Sequence, residues 1–416
     1  MNLKFLRENP EEANRILELR KCAFDLDGLL ELDEQRRSLS TGRDELRHEQ
    51  KQMSAQVART KQEGQDATGL MDQARELSAK VKELDARVSE VEQAQEERAK
   101  MLPNIVHESV DSEEVVVSEW GGKPEFGFKP LAHWDLGEAL DILDFKAAAQ
   151  LAGSRFTVFR GAGALLRRAM LAYFLDLHTK QHGYTEVGLP VLANRESLEG
   201  AGQLPHMEAE MYAMRDDPLC LIPTSETPLA NLLRGQTLEA SDLPRKYVAY
   251  TPCFRREAGS YGKDVRGMIR VHQFDKVELF RYVEPDKSYD ALEQMLKEAE
   301  AAVRGLGIPY RVKRLAAWDI AYQSAKTYDI EAWAAGVERW LEISSISNCE
   351  DYQMRRNGTR LRLAGGKTGY PHALNGSGLA LQRTFVALIE NNQQEDGSVV
   401  IPEVLRPYMN GLERIS

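Results

Sequence analysis

Two segments between Tyr247 and Tyr282 carry residue types that handle a nucleotide. YVAYTPCFRRE places Arg255 and Glu257 two residues apart, and on a strand that spacing sets both side chains on one face, about 7 Å apart. VHQFDKVELFRY sets His272, Phe274, Lys276 and Glu278 on one face by the same alternation. Between them the loop AGSYGKDVRGMIR carries Lys263, Arg266 and Arg270 among its glycines. An antiparallel pair closed by this loop offers Phe274 to a planar base, Arg255 to a phosphate and Glu278 to a polar ligand. A half-buried hairpin with a solvated basic loop is the other reading of the same residues.

FRRE, the loop and HQFDKVE together resemble motif 2 of the class II aminoacyl-tRNA synthetases, in the form carried by seryl-tRNA synthetases. Further stretches follow in that family's order. GYTEVGLP, ending at Pro190, resembles motif 1, and LIPTSE, with Thr224 and Glu226, resembles the serine-binding loop. LEISSISNCEDYQMRR resembles the segment that meets metal and ATP, and LNGSGLALQRTFVALIENNQ resembles motif 3. The resemblance runs from end to end of the chain.

It implies an α+β fold: a class II antiparallel β-sheet catalytic domain flanked by helices, behind an N-terminal antiparallel coiled-coil arm. The implied domains are 1–108, with a helical hairpin near 26–102 that binds tRNA, and 109–416, with motifs near 183–190, 247–282 and 374–393. The implied reaction has two steps. Serine's carboxylate attacks the α-phosphate of ATP, and the 3′-hydroxyl of tRNA(Ser), with tRNA(Sec) as a further candidate, then takes the seryl group. Transfer at phosphorus needs charge neutralisation and alignment more than proton shuttling. No Ser-His-Asp or Cys-His arrangement stands out here.

Roles carry over by position. Arg255 bridges the serine carboxylate and the α-phosphate; a strand arginine paired with Glu257 is the alternative. Glu257 accepts from the adenine amino group, Phe274 stacks on the ring, and the backbone around Val271 borders ATP. Arg256 is counted with the ATP contacts although alternation turns its side chain away. Arg383, five residues past Gly378, covers adenine and reaches the outer phosphates. Glu342 and Ser345 resemble magnesium ligands, with Ile343 and Ser344 counted as ATP contacts. Residues three apart on a plain strand face opposite sides, so EISS must bulge or turn for both to serve one ion. Thr224 and Glu226 hold the serine ammonium, Glu278 accepts from its hydroxyl, and Asn375 and Ser377 line the same pocket. A buried acceptor left unpaired by alanine or glycine rejects them by roughly 10⁴, against ~10² per methylene for an apolar pocket.

Three residues depart from the family pattern: Arg256, Gln382 and Trp318. Gln382 stands where glycine or proline is usual and is expected to crowd the adenine side. Two competing readings are a synthetase paralogue that loads a carrier protein, which would lack the arm, and a catalytically silent RNA-binding relative.

The elements that must position these residues follow from periodicity. Asn9-Pro10-Glu11-Glu12 reads as a helix start with a capping side chain and early acids. Leu32, Leu39, Leu46, Met53 and Thr60 recur every seven residues, and Leu70, Ala74, Leu77, Val81, Leu84, Val88 and Val91 by fours and threes. This is a coiled-coil seam, and KQEGQDATG joins its halves as an antiparallel hairpin. Some 33 residues per helix give an arm of about 50 Å. Arg36, Arg43 and Gln50 fall at alternate seam positions, which predicts a wet edge. By resemblance the arm grips tRNA, and Arg43, Arg47, Lys51, Lys263 and Arg266 are the expected contacts; a salt-bridged helix surface is the alternative for each. Pro103 ends the arm, and 124–130 reads as a linker. From Ser154 onward strands and amphipathic helices alternate, with antiparallel signals predominating.

At 416 residues the chain holds two or three domains. Its net charge of −11 argues against nonspecific nucleic-acid coating, and neither DNA nor membrane is an expected partner. Cys22, Cys220, Cys253 and Cys349 are scattered without a C-x-x-C, which disfavours a disulfide framework or a zinc knot. The N-terminus lacks the apolar core of a signal peptide, and no stretch approaches the ~20 apolar residues of a membrane span. The expected setting is a reduced cytoplasm, and the expected assembly a homodimer through motif 1.

Overall fold

Apolar residues at alternating three- and four-residue spacing fold the N-terminal part of the chain into helices, and period-two alternation folds the rest around a sheet. The computed structural model describes residues 3–258 and 266–416. The chain divides into two compact units, Met1–Pro103 and Asn104–Ser416. Among the described residues no helix is long and apolar enough to cross a membrane.

The first unit comprises α1 (Leu3–Glu8), α2 (Pro10–Leu19), α3 (Leu26–Gln62) and α4 (Thr68–Ala99). Pro10 opens α2, where its missing N–H costs nothing. Asn9 does not cap it, however: its side chain donates back to Phe5 O at 3.3 Å, because α1 ends immediately before it. Asp25 does cap α3, accepting from the Gly28 N–H at 2.9 Å. The α3–α4 seam buries Val81 and Val88 and half-buries Leu32, Leu39, Leu46 and Met53. The polar seam positions reach across the hairpin. Gln50 donates to Ser78 Oγ at 2.8 Å, and Arg43 lies 3.9 Å from Asp85.

At the base of the arm Asp33 is fully buried. It accepts from Arg7 (2.8 Å), Gln95 (3.0 Å), Arg37 (3.1 Å) and Arg36 (3.3 Å). Burial alone would raise this carboxyl's pKa, but the donors, led by Arg7 and Gln95, outweigh it and hold the pKa low.

In the second unit the main sheet contains β1 (Val115–Trp120), β2 (Thr185–Glu186), β3 (Arg245–Phe254), β4 (Gln273–Val283), β5 (Tyr310–Arg314), β6 (Lys326–Ala334), β7 (Arg339–Glu350) and β8 (His372–Ala380). Their spatial order is β1-β5-β6-β7-β8-β4-β3-β2, and every pairing is antiparallel except β2 with β3. One face packs on α6 (Gly161–Lys180), α8 (Ser288–Gly305) and α10 (Leu381–Asn391), which follow α5 (His133–Ala139) and α7 (Glu226–Asn231) in helix numbering, with α9 at Tyr352–Asn357. Val277, Leu279, Ile330, Ile343, Ile346 and Leu374 point into that core. The opposite face carries the polar alternates toward one end and, toward the other, a second apolar cluster in which Phe280, Tyr282, Ala249 and Ala373 pack against α7 and α9.

Asp33→Ala leaves the Arg7 and Arg36 heads without their buried partner. The expected loss is about 2 kcal/mol, discounted because those arginines keep part of their hydration. The folded pKa is depressed, so this contribution is complete at neutral pH and is lost only as acid titrates Asp33 below the ordinary carboxylate range. Thermal melts of the full chain, wild type against Asp33→Ala at pH 7 and pH 3, check both statements: the gap should be full at pH 7 and begin to narrow at pH 3.

Candidate active site

The polar face of the sheet opens into a cleft of about 440 Å³. It has an acidic end and a basic end.

At the acidic end β4 supplies Phe274, Lys276 and Glu278 from one face, and β8 supplies Asn375 and Ser377 beside them. Register puts Glu278 opposite Ser377, because Gly378 is one extra residue in β8 between the Val277–Leu379 and Glu278–Ser377 pairs. Thr224 and Glu226 enter from the start of α7. Lys276 Nζ donates to Thr224 Oγ1 at 2.7 Å and lies 2.5 Å from Glu278 Oε2. The same Thr224 oxygen accepts from the Glu226 N–H at 3.1 Å. Glu226 Oε1 accepts from three amides: Gln353 at 2.6 Å, Asn375 at 3.0 Å and Gln323 at 3.2 Å.

Both carboxylates are buried. Burial first, and then the Glu278 charge, push the Glu226 carboxyl up to about 7 against the pull of Lys276 and the amides. Burial raises Glu278 as well, with Lys276 opposing. Lys276 is paired with Glu278, whereas the hydrogen-bond partners of Glu226 Oε1 are neutral amides.

At the basic end the chain leaves β3 after Phe254. Arg255 and Glu257 therefore do not share a strand face, contrary to the alternation reading. Arg255 N–H still pairs with His272 O at 2.9 Å, and Glu257 then turns through a φ of 51°. Both nonetheless line the cleft. The Arg255 guanidinium lies 5.2 Å from the Phe274 ring centroid, and Glu257 pairs with Arg270 at 3.2 Å. Met268, Ile269 and Val271 form an apolar wall. Arg383, on the first turns of α10, donates to Ile269 O at 3.0 Å and to Glu342 O and Oε2 at 2.9 and 3.2 Å.

Glu342 and Ser345 do reach the same cleft. The reason is a bulge: Ile330 pairs with Ser344 and Glu331 with Glu342, so Ile343 is an extra residue in β7. Ile343 itself points into the core and Ser344 donates to Ser377 O at 2.5 Å, so neither offers its side chain to the cleft. Arg256 is a second correction. It is exposed and off the cleft wall, and its N–H donates to Glu210 O at 2.9 Å. Lys263 lies outside the described residues. Arg266 is held by Asp135 at 2.6 Å, with its guanidinium 4.9 Å from the Trp134 ring. On α3 Arg47 donates twice to Asp85, at 2.8 and 3.0 Å, and Arg43 to Asp44 at 3.0 Å, while Lys51 is exposed.

Gln382 lines the cleft but is tied back into the fold. It is buried and reciprocates with Asp275, accepting from its N–H at 2.9 Å and donating to its Oδ2 at 3.1 Å. Arg167 and Tyr250 complete that carboxylate's partners. Trp318 donates to Ser112 O at 2.9 Å.

Residues 1–106 match the seryl-tRNA synthetase N-terminal domain model and 210–392 the class II core domain model of the G, H, P, S and T synthetases. A serine--tRNA ligase of Nitratidesulfovibrio vulgaris strain Hildenborough is 48% identical over the whole of both chains. The chain belongs to the seryl-tRNA synthetase family. Another relative so named, from Caldanaerobacter subterraneus, is 48% identical over 98% of each chain. The crystal structure of seryl-tRNA synthetase from Pyrococcus horikoshii complexed with ATP superposes with a TM-score of 0.93 at 35% identity, covering 100% of this chain and 99% of that one.

Several cleft residues were given no role by the sequence reading. Lys276 carried a signal, since it alternates with Phe274 and Glu278 on β4. Gln323 and Asp329 carried none, and neither did Gln353, which lies off the cleft wall and holds Glu226, because their partners are distant in sequence. Asp329 is buried beside Glu342 with Oδ1 unpartnered, and its pKa is raised well above the ordinary value by burial and then by Glu342.

A carboxyl raised in the folded state stabilises fully below its unfolded pKa and progressively less as pH rises toward the folded one. Glu226→Gln removes that penalty. The variant should therefore melt above the wild type at pH 8, by up to about 3 kcal/mol in stability, and the difference should shrink to nothing near pH 4.5. Thermal denaturation across that range reads it directly.

Proposed function

We propose that this chain activates L-serine with ATP and transfers the seryl group to the 3′ end of tRNA(Ser). The observation that carries the reading is the bipolar cleft: a buried carboxylate pair short of one cation, and a cluster of arginines beside an aromatic ring. Amino-acid and nucleotide halves of an aminoacyl-adenylate have the complementary polarity.

In this reading the serine ammonium joins Lys276 between Glu226 and Glu278, with Thr224 closing the pocket floor. Glu278 accepts from the serine hydroxyl, and Asn375 and Ser377 line the side. The Arg255 fork spans the serine carboxylate and the α-phosphate, where charge builds as the carboxylate oxygen attacks phosphorus and pyrophosphate departs. Phe274 and Arg383 flank the base, Glu257 accepts from its amino group, and the Met268–Val271 wall excludes water from one side. In the second step the tRNA hydroxyl attacks the acyl carbon, and AMP leaves with the phosphate oxygen that had held the acyl group.

Magnesium is usually held by one or two carboxylates plus substrate phosphates. Glu342 and Ser345, brought to one side by the Ile343 bulge, would be the oxygen donors for it, and Asp329, which also lines the cleft, has its buried Oδ1 without a hydrogen-bond partner. Such an ion would neutralise the phosphate oxygens around the attacked phosphorus.

The 1–108 region is the tRNA-gripping part, through Arg43, Arg47 and Lys51 of α3, with Lys263 and Arg266 as further candidate contacts. A homodimer through 183–190 suits the exposed edge position of β2, and the cytoplasm is the compartment this chemistry serves.

Serine-dependent ATP–pyrophosphate exchange tests the first step. Wild type should exchange, and Arg255→Ala should lose at least about 10³-fold in rate while melting normally. Exchange retained in that variant would remove Arg255 from its role; absence of exchange in the wild type would remove the activity. Deleting 33–98 behind a short bridging loop should leave exchange intact and abolish charging of tRNA with labelled serine. Charging that persisted at ordinary tRNA concentration would deny the arm its grip.

A further inference from the structure

His133 stands outside every motif above, yet it is built into a joint. It opens α5 and is fully buried, as is Glu390 near the end of α10. Its Nε2 accepts from the Met268 N–H at 3.1 Å. In a neutral ring the proton then sits on Nδ1, which lies 2.8 Å from Glu390 Oε1 and donates to it. Glu390 Oε1 also accepts from the His133 N–H at 2.8 Å, and Oε2 accepts from Gly336 and Val337 at 2.8 and 3.1 Å. A buried carboxylate with this many N–H donors is locked in place.

The next residue along the wall is held from the same helix. Ile269 O accepts from Arg383 Nε, and Arg383 sits two turns before Glu390 on α10. Residues of one helix thus grip the Met268 N–H and the Ile269 carbonyl, one through an imidazole and one directly. Gly267 makes the approach possible. Its φ is 77°, and a Cβ there would fall 2.1 Å from His133 Nε2.

We propose that His133 and Glu390 are positioning residues for the nucleotide end of the cleft, setting the Met268–Val271 wall against Arg383. The proposal rests on the reading that this end takes ATP. Packing alone would explain a buried ring, but not an acceptor nitrogen aimed at the one loop N–H that heads the wall.

The test is serine-dependent exchange on the full chain, with KM for ATP and KM for serine measured separately beside a thermal melt. His133→Leu should raise the ATP KM about tenfold, the worth of one buried hydrogen bond, and leave the serine KM within about twofold. His133→Gln, whose amide can accept from Met268 and donate to Glu390, should recover most of that loss. An unchanged ATP KM in His133→Leu, or equal rises in both KM values that track a lowered melting point, overturns the proposal. If His133→Leu does not fold, Gly267→Ala pushes the wall off the imidazole from the other side and should show the same ATP-specific rise. If the wild type shows no exchange, the reading of the cleft fails, and amide hydrogen exchange then judges the joint. Faster exchange confined to 266–272 in His133→Leu supports it, and unchanged protection there overturns it.

Discussion

Strand alternation sorts this catalytic unit, and two single-residue interruptions make the sorting useful. Period two sends Val277 and Leu279 into the apolar layer under the helices and Lys276 and Glu278 into the cleft. An unbroken β7 would send Ser345 to the side opposite Glu342. The extra residue at Ile343 corrects that, and its own side chain pays for the distortion by packing in the core. The extra residue at Gly378 likewise sets Ser377 across from Glu278. Shift either strand by one residue without its bulge and polar groups enter the core while apolar ones face the cleft.

On that scaffold the electrostatics of the cleft divide cleanly. Glu226 and Glu278 are buried, with Lys276 paired to Glu278, while Arg255, Arg270 and Arg383 sit toward the other end. Buried like charges are costly, and here the cost is held down by amides from β8, α9 and the loop before β6, all directed at one oxygen of Glu226. The other oxygen of that carboxylate is spared for something else.

Much of this was legible in the residues themselves. The heptads of α3 and α4 and the alternation of β4 announce the arm and the floor of the cleft, because both signals are local. The need for a turn or bulge in EISS was legible too, as a geometric conflict, although not which residue would be extra. What was hidden depends on distant partners. The pairing of Gln382 with Asp275 is not visible in the sequence, and Arg256 reads as a site residue until the chain is seen to leave the sheet at Phe254. Gln353 and His133 have no local pattern at all, since their partners lie more than a hundred residues away.

Asp85 on α4 has a consequence for what the arm can do with a polyanion. Arg47 already spends two hydrogen bonds on it, and Arg43 stands near enough to share it. A phosphate that recruits Arg47 must displace a carboxylate, not a loosely condensed ion, and the stranded Asp85 then repels the newcomer. Counterion release per arginine engaged is therefore smaller than for a solvated side chain such as Lys51. Engaging Arg47 would therefore cost two existing hydrogen bonds before any new one forms.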